Sequence, residues 1–131
     1  MDILLDTHTV LWFFEADERL SETAIETICD VENNKYVSIA TLWEVAIKYS
    51  IGKLKIDGGF ESFIDNIHEN GFILLEVTPG HITEVANLPF IHRDPFDRML
   101  IAQAMIENIP IMTSDSEILK YGIRSIYSRL S

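Results

Sequence analysis

The sequence predicts an α/β fold with a central, mainly parallel sheet and helices on both faces. Two observations carry that expectation. Short apolar runs alternate with longer amphipathic ones along the whole chain, which is the order that strand–helix–strand crossovers produce. The first of these runs, "ILLD", is an unalternating apolar run ending in an acid, as expected of a strand covered on both faces.

Taken in order, "ILLD" at 3–6 is the first strand, and "THTVLWFF" is a helix expected to be capped by Thr7. "SETAIETICDVEN" is a helix with Ser21 as N-cap; Ile25, Ile28 and Cys29 share its apolar face, which puts Cys29 in the core. "KYVSIA" is the second strand. "TLWEVAIKYSIGK" is a helix ended near Gly52, apolar on most sides and therefore expected to be largely buried. "FESFIDNIHENG" turns Phe60, Phe63, Ile64 and Ile67 inward and places Gly71 at its C-cap. "FILLEVT" is the third strand, and Pro79 opens a short helix, "PGHITEVANL". A longer helix starts within "HRDPFDRMLIAQA". "IPIMTSD" is the fourth strand, "SEILKYG" a short helix, and "IRSIYS" an edge strand.

The 131 residues fit one domain spanning 1–131, and 47% apolar with 24% charged residues is an ordinary globular composition. The N-terminus lacks the basic region of a secretion signal, and no stretch approaches the roughly 18 apolar residues of a membrane span. The single cysteine, Cys29, excludes an internal disulfide and points to a reducing cytoplasm. Net charge is −11, from 21 acids and 10 bases. Spread evenly, that excess would disfavour a polyanionic partner. Gathered locally, it would require a cation.

The acids are placed for gathering. Asp6 and Asp115 each follow an apolar strand and stand beside hydroxyls, Thr7 for one and Thr113 and Ser114 for the other. Sites in open α/β sheets form outside such strand ends. Either acid could equally be a helix cap. Glu44 lies in an apolar helical row, where it needs a partner; Lys48 four residues on is the simplest one. Asp94 followed by Pro95 is an N-cap and first helical position. Asp97 then falls at the third, where it suits the helix dipole and can also face a cleft at the strand ends. Converging carboxylates repel unless a divalent cation neutralises them, and hard oxygen ligands suit Mg²⁺ or Mn²⁺. Zinc is not indicated: His8, His68, His81 and His92 show no ligand spacing and are expected at the surface or in packing, with His8 nearest the acids.

The segments "LLDTHTVLW", "SIATLWEVAIK", "HRDPFDRMLIAQA" and "IMTSD", in this order and spacing, resemble the PIN-domain toxins of the VapC family from residue 3 to about 127. The resemblance implies a three-layer α/β/α fold and a Mg²⁺-dependent endoribonuclease of a toxin–antitoxin pair, with Mn²⁺ as an alternative ion. It implies Asp6, Glu44, Asp97 and Asp115 as the catalytic acids, with Asp6, Asp97 and Asp115 on the metal. Thr7 and Ser114 match the family's flanking hydroxyls. His8 stands where many relatives carry a small residue. Lys48, Lys53, Lys55, Arg93 and Arg98 are the bases that could meet RNA, and Thr7, Ser114, Arg98 and Lys48 are the residues expected to bind the substrate. The implied partners are RNA, a cognate antitoxin that covers the acidic groove, and a second copy of the chain. Two other classes stay open: a non-catalytic binding module on the same fold, and a phosphotransferase using Asp6 as an aspartyl-phosphate, which lacks the second acid expected at position 8.

Overall fold

Alternate residues of the strands feed two separate cores, and this makes the architecture layered. In the computed structural model, which describes residues 1–129, the elements are β1 (Asp2–Leu5), α1 (Thr7–Glu15), α2 (Glu22–Cys29), β2 (Asn34–Ser38), α3 (Ile39–Ser50) and α4 (Gly59–Glu69). Then come β3 (Ile73–Leu75), α5 (Pro79–Asn87), α6 (Pro95–Glu107), β4 (Ile111–Thr113), α7 (Ser116–Leu119) and β5 (Ser125–Tyr127). The last two residues of the predicted 1–131 domain lie outside the described residues.

The five strands form one sheet in the order β3-β2-β1-β4-β5, and every neighbouring pair is parallel. Leu4 stands opposite Tyr36 on one side and Ile111 on the other. Ile3 and Leu5 point to one face, joined by Val37 and Met112; Leu4 and Ile111 point to the other. Residues of α1, α2 and α4 cover the first face, and residues of α5, α6 and α7 the second, giving an α/β/α sandwich. Each fully buried Ile or Leu contributes about 1.5–3 kcal/mol. The chain leaves β1 toward β2 and β3 on one side and returns to β4 and β5 on the other. That reversal opens a crevice at the carboxyl ends of β1 and β4, the usual place for a site in an open parallel sheet. Among the described residues, no helix is long and apolar enough to cross a membrane.

Several local expectations need correction. Asp6, not Thr7, is the N-cap of α1, and Thr7 is already helical. Cys29 is exposed and Ile25 is 40% exposed, because α2 turns the Ala24–Ile28 row inward instead. The second strand stops at Ser38, whose side chain caps α3, so Ile39 and Ala40 are helical. The third strand is only three residues long and lies at a sheet edge. α3 is not largely buried: Trp43 is 64% exposed, and Ile47 and Tyr49 are exposed too. Asn70 caps α4, with Gly71 behind it at φ +70°, a left-handed position that favours glycine.

Candidate active site

Three helix starts deliver the aspartates to the crevice. At the end of β1, Asp6 caps α1: its Oδ1 accepts from the Thr9 amide at 2.9 Å. Its Oδ2 accepts from the Thr113 hydroxyl at 2.5 Å. The Thr113 oxygen in turn accepts from the Asp115 amide at 2.9 Å, so one side chain ties the ends of β1 and β4 together. Asp6 is 2% exposed, and this burial raises its pKa in spite of the bonds from Thr113 and Thr9.

The two aspartates at the start of α6 divide their work as the Asp–Pro sequence predicts. Asp94 is the N-cap, its Oδ1 accepting from the amides of Phe96 at 2.8 Å and Asp97 at 3.2 Å. Asp97, in the first turn, faces the crevice. There His92 Nε2 lies 3.2 Å from Asp97 Oδ2 and 2.8 Å from Asp115 Oδ2. His92, Asp97 and Asp115 each offer a ligand atom within 4.8 Å of the other two. Asp115 also caps α7, through its other oxygen, to the Glu117 amide at 2.8 Å.

The charges at this mouth are poorly compensated. Burial, then the charges of Asp94 and Glu44, push Asp97 up to about 7; His92 opposes the shift and Asp6 adds to it. Partial burial works upward on Asp115 as well. There the hydrogen bond from His92 and the backbone amides at the start of α7 prevail, and the carboxyl ends lowered. Partial burial lowers His92, but the Asp115 hydrogen bond and the charges of Asp97, Asp115 and Asp94 outweigh it and leave the ring raised.

Glu44 completes the set from α3. Only 4% exposed, it accepts from the Thr7 hydroxyl at 2.8 Å and pairs with Lys48 at 2.7 Å. The hydrogen bond to Glu44 is also the main reason the Lys48 pKa is raised. The Thr7 and Thr41 hydroxyls meet at 3.2 Å. α3 therefore buries Thr41 and Glu44 while exposing Trp43 and Ile47, the reverse of an ordinary amphipathic helix. The same helix sends Val45 into the first core, with Leu42 packed beside it, so it serves the core on one side and the site on another.

The structure brings Asp97 and Asp115 together and holds Asp6 behind them through Thr113. The Thr7 hydroxyl is turned into the protein toward Glu44. Ser114 is half-buried between β4 and the α7 cap. Arg98 is tied to the chain itself: it donates to the carbonyls of Val85 and Pro89 at 3.1 Å and lies over the Phe90 ring at 5.0 Å. Lys53, Lys55 and Arg93 are exposed, and Lys48 is half-exposed. His8 is exposed and rests beside Trp12. Sequence reasoning missed His92 as a member of the site. The one hint was its place two residues before a capping aspartate, on the same tight turn. The donor set, carboxylate oxygens crowded at a half-open mouth, fits a hard divalent cation.

A family model described as the PIN domain matches residues 3–123. No curated protein sequence matches the chain significantly. Among solved structures, the chain is similar to VapBC2 from Rickettsia felis bound to a DNA fragment from their promoter, with TM-score 0.72, 14% identity, and 96% of this chain and 98% of that one covered. It is also similar to FitAcB from Neisseria gonorrhoeae, with TM-score 0.68, 15% identity and coverage of 95% and 96%. A third is VapBC-1 from nontypeable Haemophilus influenzae, with TM-score 0.68, 14% identity and coverage of 96% and 97%. At these identities the structural likeness speaks for the fold.

Proposed function

The chain belongs to the PIN-domain family, and from that premise we propose that it is a Mg²⁺-dependent endoribonuclease, the toxin of a toxin–antitoxin pair. The observation that carries this reading is the mouth formed by Asp97 and Asp115, where Asp97 is pushed up to about 7 by burial and by neighbouring acids. A carboxylate kept in that state serves stability poorly and a cation well.

Asp97 and Asp115 would hold the ion, with Asp6 as the third ligand; each Asp6 oxygen keeps a second lone pair beyond its bond to Thr9 or Thr113. Mn²⁺ would suit the same oxygens. When bound, such a cation supplies an activated water and neutralises charge on the phosphodiester. Glu44, fixed by Thr7 and Lys48, adds negative charge to the site as the fourth catalytic acid. Exposed Lys53, Lys55 and Arg93, with Lys48, offer the phosphates of RNA a path past an otherwise acidic surface. Thr7, Ser114 and Arg98 act in this reading by shaping the crevice walls. Transfer of a phosphoryl group to Asp6 is disfavoured, because His8 stands where that chemistry calls for a second acid.

The solved VapBC and FitAcB assemblies support an antitoxin partner for this chain. The acidic mouth suits a basic antitoxin side chain. An apolar groove of 490 Å³ between α3, α5 and α6, lined by Ile39, Trp43, Ile82, Phe96 and Met99, offers a surface to a second copy. A cytoplasmic location fits the single unpaired cysteine.

The test is cleavage of labelled RNA by the purified protein with Mg²⁺. The wild type cuts, chelation stops it, and Asp97→Asn and Asp6→Asn are inactive while remaining folded by circular dichroism. Full activity of both variants would refute the assignment.

A further inference from the structure

The strongest feature that the catalytic assignment leaves unused is the imidazole at the mouth, and the inference drawn from it rests on the metal reading above. His92 lies in the loop before α6. The Asp94 backbone N–H donates to His92 Nδ1 at 3.1 Å. A ring nitrogen that accepts a hydrogen bond carries no proton, so the neutral ring holds its proton on Nε2. That same Nε2 faces Asp115 Oδ2 at 2.8 Å and Asp97 Oδ2 at 3.2 Å. It is therefore the donor in the hydrogen bond to Asp115, with the Asp97 oxygen in close polar contact beside it.

This tautomer is the wrong one for metal ligation. A ligating histidine presents a bare nitrogen to the ion and donates from its other nitrogen to an acceptor. Here the far nitrogen meets a donor, and the near one carries the proton. The three side chains could surround an ion by distance alone, yet their hydrogen bonds assign His92 a different task.

We propose that His92 is a positioning residue: its Nε2–H donates to Asp115 Oδ2 and rests against Asp97 Oδ2 at 3.2 Å, so that the two carboxylates meet a divalent cation as a preset pair while the imidazole stays off the metal. The loop is built to hold that donor still. The amide of His92 donates to the Tyr121 hydroxyl at 2.9 Å, and that hydroxyl donates to the Pro89 carbonyl at 2.7 Å. Arg98 braces the same loop through Pro89 O at 3.1 Å and His92 O at 3.5 Å. Asp115 is fixed on its other side by the Glu117 amide. Asp97 and Asp115 stand at the starts of two different helices, and His92 is the side chain that touches both. This also gives the bound state of Arg98 a purpose: it supports the clamp from behind.

Two measurements on the full chain decide the matter. The first is the ¹⁵N spectrum of the histidine rings above the ordinary histidine titration range, with and without Mg²⁺. The clamp predicts a protonated Nε2 and bare Nδ1 on His92 in both samples; loss of the Nε2 proton on adding Mg²⁺ would make it a ligand and overturn the proposal. The second is calorimetric binding of Mg²⁺ and of Mn²⁺ to wild type, His92→Ala and His92→Gln. Outer-shell partners of this kind are worth about 10–100-fold in metal affinity. The expected result is that His92→Ala weakens both ions by the same factor within that range and His92→Gln, which keeps an N–H donor, recovers most of it. A loss confined to Mn²⁺ would again mark a ligand, and equal binding by wild type and His92→Ala would mark a bystander. Absence of binding of either ion to the wild type would overturn the metal reading along with the clamp, a pattern distinct from failure of the clamp alone. The ring spectrum uses the wild type, so the proposal stays testable even if His92→Ala does not fold.

Discussion

One series of contacts, hydrogen-bonded from Asp6 through Thr113 and Asp115 to His92 and ending in a 3.2 Å ion-pair contact with Asp97, has two opposite ends. At the buried end, each Asp6 oxygen has a donor, and the carboxylate is part of the scaffold that joins β1, β4 and α1. At the open end, Asp97 faces the charges of Asp94, Glu44 and Asp6 with His92 as the opposing group. Burial alone therefore does not single out a working acid. Crowding without compensation does, because it stores a demand for a cation that the fold itself leaves unmet.

The contrast breaks first at Asp97. Asp97→Asn is expected to lower RNA cleavage about 10³-fold or more, on the order of 4 kcal/mol in the barrier. The same change should stabilise the metal-free protein, by on the order of 1–3 kcal/mol at neutral pH, since it removes a carboxylate held among like charges. Urea unfolding checks the second half. Asp6→Ala should instead lose activity and stability together, by about 2–4 kcal/mol, because it deletes a helix cap and leaves the Thr113 hydroxyl and Thr9 amide without an acceptor. Equal stability changes for the two variants would erase the distinction between the ends.

How much of this division was legible in the sequence depended on how local the cause was. The separation of Asp94 from Asp97 could be read directly, because Asp–Pro fixes the cap and the first helical residue within three positions. The parallel sheet and its helices followed from apolar patterning. α2 was misread because Ile25, Ile28 and Cys29 form a more apolar row than Ala24 and Ile28. Size and tertiary fit decided for the smaller alanine. α3 was misread because Glu44 and Thr41 share its inner side with Ala40 and Val45, which leaves Trp43, Ile47 and Tyr49 outside. His92 was invisible because its partners are Asp97, 5 residues on in the first turn of α6, and Asp115, 23 residues on at the end of β4. No spacing rule links them, and only the folded loop does.

A pH series sharpens the contrast further. In the folded, metal-free protein Asp97 holds its proton up to about 7, against an ordinary 3.8. Between those values the native state binds more protons than the unfolded chain, so stability falls as pH rises through that window and levels off above it. His92, raised in the fold, acts in the same direction over the upper part of the window. Asp115 is lowered, and its contribution is present above its ordinary range and lost in stronger acid. Asp94, Glu44, Asp6 and His92 are the charges that Asp97 feels. Urea unfolding at stepped pH should therefore show a decline that Asp97→Asn largely abolishes and that saturating Mg²⁺ reverses. A wild-type profile rising through the same window would be inconsistent with a crowded Asp97.

The smallest expected effect lies on α3. Lys48→Met should cost about 1–2 kcal/mol, because Glu44 is buried and would keep only Thr7 as a partner. Thermal unfolding measures it, and a neutral result would mean that the pair with Lys48 adds nothing to the stability of the fold.

The most direct test of the central claim is the position of Mn²⁺ in crystals of the full chain, located by its anomalous scattering. The account predicts a peak bonded to carboxylate oxygens of Asp97 and Asp115, with Asp94 still capping α6. A peak on Asp94, or none in the crevice at saturating Mn²⁺, would contradict it.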